Sequence, residues 1–356
     1  MPIRVVHIGT GNVGRLALAG LITDPRFELV GLCVSTPEKV GKDAGELAGL
    51  EVTTGVEATG SLAEVLALEP DCAVYCAMGD TRLFESLEDC RSILAAGVDL
   101  VGSAPGLLQY PWKVLPDKYF APVEQAAADS GKSVFITGID PGFANDLIPL
   151  AFSGTCRDIE QIRCSEIADY ATYDGATVMF DVMGFGKPLD EVPMLLQPGV
   201  LGLAWGTTIR QLAAGLDITV DEIVDSYERE PAPESFEIAA GSVPKGSVAA
   251  IRFEIRGLVQ GRPVIVIEHT TRLHEDLRPD WPQPAQPGGS YRVEIVGEPS
   301  YTVDICPTSR HGDHNHAAIV AAAGRIVNAI PAVIAAPPGI RTSLDLPLIP
   351  GRVAAH

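Results

Sequence analysis

The chain is 356 residues long, enough for two domains with a core each. Its 46 Asp and Glu against 26 Lys and Arg give a net charge of -20, which argues against nucleic acid or an anionic membrane held by a bulk field. Hydrophobic residues make up 46%, and the apolar stretch Ala317 to Ile340 is interrupted by Arg325, Pro331, Pro337 and Pro338, so no membrane span is expected. Seven cysteines, an odd number without C-x-x-C spacing, fit thiols kept reduced in the cytoplasm, and a strand that starts at once argues against a secretory signal.

Ile3 to Ile8 reads as a short buried strand that runs into Gly9-Thr10-Gly11-Asn12-Val13-Gly14, after which Arg15 to Ile22 reads as a helix. G-x-G-x-x-G between strand and helix is the setting in which the pattern binds a dinucleotide. Gly9 permits the tight turn, Gly11 lets the backbone approach a pyrophosphate, and Gly14 lets helix and strand pack closely. Free N–H groups and the helix dipole then hold the phosphates. The second strand, Phe27 to Val34, ends where the dinucleotide is chosen. An NAD enzyme places Asp or Glu there; here Ser35, Thr36 and Lys39 offer donors and a cation to a 2′-phosphate, and Glu38, after Pro37, is read as pointing outward. The expected cofactor is NADP (NADPH), with NAD as the alternative.

Ala73 to Met78 is a further strand, and Cys76-Ala77-Met78-Gly79 falls at the switch point where the nicotinamide ribose belongs. Cys76 has no recognisable base partner and is read as packing rather than as a nucleophile. A helix from about Leu83 to Ala96, a strand over Asp99 to Gly102, a helix from about Phe120 to Ser130 and a strand over Ser133 to Thr137 continue the alternation. Between them, the loop with Ser103 and Ala104 suits a cover over the nicotinamide. The fold class expected is α/β: an N-terminal doubly wound Rossmann domain, residues 1–145, followed by a second, α+β domain.

That second domain is expected over residues 146–312. Ile159 to Ala168 alternates like a strand, Met179 to Trp205 suits a lid or a loop with short helices, and Val248 to Arg256 and Pro263 to Arg272 flank a turn at Gln260-Gly261-Arg262. Tyr291 to Val296 and Tyr301 to Ile305 suggest another hairpin, so the domain should hold an open antiparallel or mixed sheet. The Pro-rich segment Asp276 to Gly289 reads as an ordered arm, and His316 to Ile330 as a helix opening the last segment, residues 313–356. His311, Asp313, His314 and His316 have metal-like spacing, but no partner cluster is evident, so no metal is expected and Asp313 or Asn315 is read as a helix cap.

Three segments carry a family resemblance. Gly41-Lys42-Asp43-Ala44-Gly45-Glu46-Leu47-Ala48-Gly49 resembles the segment after the second strand in dihydrodipicolinate reductases. Gly138-Ile139-Asp140-Pro141-Gly142-Phe143 and Val327-Asn328-Ala329-Ile330-Pro331 resemble the 2,4-diaminopentanoate dehydrogenases and native amine dehydrogenases. The resemblance implies hydride transfer between NAD(P)H and a C=N bond formed from a small ketone or aldehyde and ammonia, or the reverse deamination. It also implies a final helix returning to the Rossmann domain and a homodimer built on the open sheet. The His-rich stretch and anion loop of true dihydrodipicolinate reductases are missing, so that activity is not expected.

The amine dehydrogenase type places a carboxylate in the loop near the positions that Gly106 and Leu107 occupy here. Candidate replacements are Asp140, Glu166 and Asp169, with Tyr170, Tyr173 and His269 as further proton-transfer or orienting groups. Each also has a structural reading: Asp140 as a turn residue before Pro141, His269 as part of a half-buried strand. Two other readings stay open, a reductase of another C=O or C=N bond without ammonia and a non-catalytic NADP-binding sensor.

Overall fold

The computed structural model describes residues 1–79 and 81–353; the last three positions of the expected 313–356 segment lie outside them. Two units divide the chain, Met1–Ile139 together with Ile319–His356, and Asp140–Ala318. The first unit runs β1 (Ile3–Ile8), α1 (Asn12–Thr23), β2 (Phe27–Cys33), α2 (Ala44–Ala48), β3 (Ala58–Thr59), α3 (Leu62–Leu66), β4 (Cys72–Tyr75), α4 (Leu83–Ala95), β5 (Asp99–Gly102), α5 (Asp117–Ser130) and β6 (Ser133–Ile136). The second runs α6 (Leu147–Ser153), β7 (Asp158–Asp169), α7 (Val200–Gly215), β8 (Glu222–Pro231), β9 (Phe236–Ile238), β10 (Gly241–Val243), β11 (Val248–Val259), β12 (Arg262–Arg272), β13 (Gly289–Glu298) and β14 (Tyr301–Ile305). α8 (His314–Ile334) crosses the boundary between the units, and β15 (Gly339–Arg341) ends the regular structure.

The first unit holds a seven-stranded sheet in the order β15-β6-β5-β4-β1-β2-β3. Its strand pairs are parallel. β4, β5 and β6 are buried along their whole length, as short apolar runs are when helices cover both faces of a sheet. The order reverses between β1 and β4, so the turns after these strands open at the switch point. α8 is long and apolar enough to cross a membrane by length and composition alone. Its Ala323, Ile326, Val327, Ile330 and Val333 nevertheless pack with Val5, Val74, Val101 and Phe135 of the sheet, which makes it a core helix. Each such Ile or Val contributes about 2 kcal/mol of burial. Pro331 does not end α8, which continues to Ile334. Asp313 caps its start, Oδ1 accepting from the His316 N–H at 3.1 Å.

The second unit is built on a six-stranded sheet in the order β14-β13-β7-β12-β11-β8. β11 and β12 meet through Gln260 (φ 51°) and Gly261 (φ 76°), the two positive φ values of a type I′ hairpin turn. β13 and β14 form the second hairpin. The sheet is mixed because β7 joins β12 in parallel. One face carries Ile162, Cys164, Ile251, Phe253, Ile255, Ile265, Ile267, Val293 and Ile295, and α7 packs there through Leu201, Ile209 and Leu212. The chain thus covers its own apolar layer. On the opposite face Arg163, Arg252, Glu254 and Glu268 form an ion-pair network, with Glu268 Oε1 2.7 Å from Arg252 Nε.

Two expectations need correcting. The loop expected to extend to Trp205 ends at Gly199, and the 16-residue α7 follows. Gly202, Gly206, Thr207 and Thr208 depress its helix propensity, and packing overrides them. β8 shows no buried alternation and went unread; it is a sheet edge whose residues are all exposed or half-buried.

Candidate active site

The glycine turn of the first unit is shaped for a phosphate. Gly9 has φ 92°, and a Cβ there would stand 2.6 Å from Ala77 N, so only glycine fits. A Cβ on Gly14 would strike the Gly9 carbonyl. Nothing lies within 4 Å of the place a Gly11 Cβ would take, so the backbone is open to a ligand there. Thr10, Asn12 and Val13 complete the turn, and Gly11 caps α1 without a side-chain bond to its first amides. His7 lies beneath, Nε2 2.6 Å from the Gly9 carbonyl; burial lowers its pKa to about 4, so the ring stays neutral. These features fit the pyrophosphate of a dinucleotide.

Lys39, in a short 3-10 turn after β2, donates from Nζ to Thr10 O (3.1 Å) and Thr10 Oγ1 (3.0 Å), tying the end of β2 to the glycine turn. Ser35 and Thr36 beside it are exposed, as is Glu38. Cys76 is buried behind Ala77 and Met78, and burial pushes its thiol up to about 11, the environment of an inert packing cysteine. Ser103 and Ala104 follow β5, at the same end of the sheet as Gly9 and Cys76.

The second unit gathers titratable groups on its apolar face. Cross-strand register aligns Tyr291 of β13, Glu166 of β7, His269 of β12 and Phe253 of β11 in one row. Asp140, at the start of the unit, joins the row from outside the sheet. His269 Nε2 lies 3.3 Å from Asp140 Oδ1, and His269 Nδ1 lies 3.3 Å from Glu166 Oε2. All three side chains are buried, at 3% exposure for Asp140, 7% for Glu166 and 5% for His269. The imidazole is stacked on Phe253 (centroids 4.8 Å, 11°) and meets the edge of Trp205 at 4.6 Å, which fixes its plane.

Hydrogen bonds set the two carboxyls apart. Asp140 Oδ1 accepts from Asn145 Nδ2 (2.6 Å) and Trp205 Nε1 (2.9 Å); among the described residues its Oδ2 has no partner. Glu166 Oε1 accepts from the Tyr170 hydroxyl at 2.9 Å. Burial raises the Glu166 pKa to about 7, with Asp140 adding to the rise and His269 and Tyr170 working against it. Burial alone would depress His269, but Asp140, Glu166 and Glu268 outweigh it and hold its pKa above the usual value. The three groups offer ligand atoms within 4.8 Å of one another. Yet the imidazole presents opposite nitrogens to the two carboxyls, which suits a hydrogen-bonded chain better than ligands converging on one ion.

A family model described as the 2,4-diaminopentanoate dehydrogenase C-terminal domain matches residues 143–355. An amine dehydrogenase from Streptomyces virginiae is 40% identical over 350 residues, spanning 98% of this chain and 97% of the relative. The chain belongs to the amine dehydrogenase family. A 2,4-diaminopentanoate dehydrogenase from Acetoanaerobium sticklandii is 24% identical, spanning 97% of this chain and 94% of the relative. The structure of an amine dehydrogenase from Mycobacterium smegmatis matches with a TM-score of 0.80 at 25% identity, covering 99% of this chain and 98% of the other. The chain is therefore an oxidoreductase of the amine dehydrogenase type, acting on CH–NH2 groups with a nicotinamide cofactor.

Within this amine dehydrogenase, the loop after β5 carries Gly106 and the buried Leu107 in a 3-10 turn, with no carboxylate among its four residues. The structure brings Asp140, Glu166 and His269 together and leaves Asp169 and Tyr173 outside the trio. Asp169 is raised by burial but is occupied in accepting from the Ala171 N–H at 2.8 Å. Tyr173 stacks on Tyr170 at 5.6 Å. Asn145, Trp205, Phe253 and Tyr291 were missed. A usable signal existed: Glu166 and His269 sit in the same alternating phase as Ile162, Cys164, Ile265 and Ile267, so a titratable group occupies an inward position in each strand. The family motif Gly41 to Gly49 proves structural at Asp43, which accepts from the N–H groups of Gly45 (2.7 Å), Thr54 (3.1 Å) and Gly55 (2.8 Å).

Proposed function

We propose that this chain is an NADPH-preferring amine dehydrogenase in which Asp140 binds the substrate nitrogen and exchanges its proton. The observation that carries the reading is the buried Asp140 carboxyl, whose donors Trp205 and Asn145 both sit on Oδ1, which leaves Oδ2 for a ligand. An ammonium or iminium ion is the natural ligand for such an oxygen, because it is a cation with N–H donors. Trp205, which donates to Asp140, packs on Phe253, apolar surroundings suited to a small ketone, aldehyde or amine.

In reductive amination, ammonia adds to the carbonyl, the carbinolamine loses water, and the resulting iminium accepts a hydride. Asp140 takes the proton lost by the attacking nitrogen and returns one to the departing hydroxyl. The nicotinamide, when bound, supplies the hydride, or accepts it in deamination. Burial keeps bulk water from competing for these protons. A preference for NADPH is supported by Lys39 with Ser35 and Thr36, where an NAD enzyme places an acid. The free thiols are in keeping with a cytoplasmic protein.

The test follows NADPH oxidation over a panel of small ketones and aldehydes, with and without ammonium. Turnover only with ammonium is expected. Ammonium-independent turnover would favour a plain carbonyl reductase, and tight NADPH binding without turnover a sensor. We also propose a homodimer on the open face of the six-stranded sheet. The face is charged rather than apolar, so the dimer should weaken with salt. A monomer by light scattering at low and high salt would refute it.

A further inference from the structure

We infer that Glu166 is the proton store of the site, exchanging a proton with Asp140 through the His269 imidazole and never touching substrate. The inference rests on the reading of Asp140 given above. It starts from a problem of balance. Deprotonating an ammonium inside a buried site needs an acceptor, and dehydrating the carbinolamine needs the proton back. A single carboxyl screened from water can hold that proton only by ceasing to be the anion that binds the cation. A second carboxyl joined by a two-ended ring removes the conflict.

The links are in place. Asp140 Oδ1 and His269 Nε2 are 3.3 Å apart, and Nε2 is buried without a formed hydrogen bond, so in the Nδ1–H tautomer its lone pair is free to receive. On the far side His269 Nδ1 faces Glu166 Oε2, also at 3.3 Å. These distances are within reach of contraction when substrate is bound. Starting from His269 in the neutral form it takes above its raised pKa, with its proton on Nδ1, Asp140 takes a proton from the substrate nitrogen: an N–H bond breaks and an O–H bond forms. The proton is taken up on Asp140 Oδ2; a turn of the carboxyl about its Cβ–Cγ bond brings that oxygen to Nε2, which receives the proton, and the Nδ1 proton leaves for Glu166 Oε2. Asp140 is again an anion, the ring is neutral in its other tautomer, and Glu166 is a neutral acid. The reverse sequence delivers the proton to the leaving hydroxyl. No electrons change hands, and no external group is needed.

The surroundings suit a store rather than a second substrate ligand. Tyr170 OH occupies Oε1 of Glu166, Tyr291 stands across the strand pair, Cys164 precedes it on the same face, and Tyr173 backs Tyr170. Glu268 adjoins His269 from the opposite face. Among the described residues no Lys or Arg is paired with Glu166 or Asp140, so no fixed cation pins either carboxyl as an anion. With a pKa near 7, Glu166 gives and takes at neutral pH.

The experiment uses the full-length protein with NADPH, ammonium and the best carbonyl from the panel, and reads kcat against pH. For wild type a limb near pH 7 is expected. Glu166→Gln should abolish that limb and lower kcat about 10²-fold, with NADPH affinity unchanged; Glu166→Asp should restore part of the rate. Tyr170→Phe should move the limb to higher pH, since it removes the donor that favours the Glu166 anion. An unchanged limb in Glu166→Gln or Tyr170→Phe overturns the store. If Asp140→Asn keeps full rate, the reading of Asp140 fails; if it loses turnover while Glu166→Gln keeps its limb, only the store fails. Infrared difference spectra give a readout that needs no turnover: a protonated-carboxyl band titrating near pH 7 and missing in Glu166→Gln. Absence of that band in wild type also refutes the proposal.

Discussion

Glu166→Gln should make the second unit more stable than wild type at pH 8, with a much smaller difference at pH 5. The native carboxyl releases its proton at about 7, against 4.5 for a free glutamate. Between those values the folded state binds more protons than the unfolded one, so stability falls as pH rises. The 2.5 pH units separating about 7 from 4.5, at about 1.4 kcal/mol each, come to roughly 3–4 kcal/mol above pH 7. His269 works in the same direction. Its raised pKa gives stability that is present below 6.5 and lost as pH rises through the folded value. Glutamine removes the Glu166 cost but also takes a counter-charge from the imidazole, so a net gain of about 2 kcal/mol is reasonable, or about 4–8 °C in melting temperature. Thermal melts of both proteins at pH 5 and pH 8 would measure it. A gap that stays constant or shrinks toward pH 8 would refute the reasoning, because burial would then not be what lifts this carboxyl. Gained stability beside lost turnover is the expected mark of a group kept for chemistry at a cost to the fold.

Asp140→Asn should lower turnover about 10²-fold while NADPH affinity, by fluorescence titration, stays unchanged; full activity would make Asp140 a turn residue only. Lys39→Glu should weaken NADPH roughly 10–100-fold, the loss of a charge-assisted contact worth about 1.5–3 kcal/mol, with little effect on NADH, and equal effects on both would contradict the 2′-phosphate assignment. Gly9→Ala, forcing a side chain toward Ala77 N at φ 92°, should cost roughly 1–3 kcal/mol of strain and weaken both dinucleotides at least about tenfold. An unaltered dissociation constant would show that the turn bends more freely than its contacts imply.

Legibility followed the range of the interactions involved. The glycine turn was readable because its parts lie within six consecutive residues, each with a backbone reason of its own. The hairpin at Gln260-Gly261 was readable for the same reason. α7 and β8 were not, since one is a glycine- and threonine-bearing helix held by tertiary packing and the other a polar edge. Asp140, Glu166 and His269 each stood out as chemistry-bearing residues, but their assembly depends on β7 pairing in parallel with β12, about a hundred residues further on. Trp205 comes from α7, so an unread helix also hid the donor that orients Asp140.

The two units differ in how they are written along the chain. Asp140–Ala318 is one continuous stretch, whereas the first unit is interrupted by it and regains α8 and β15 only near the end. During synthesis the interrupted unit must therefore wait with the β6 edge unpaired and with Val5, Val74 and Phe135 lacking the helix that covers them. The continuous unit has all of its strands once residue 305 has emerged and can fold first. A nascent chain halted between the two points would expose an apolar sheet, and chaperone dependence should concentrate in that interval.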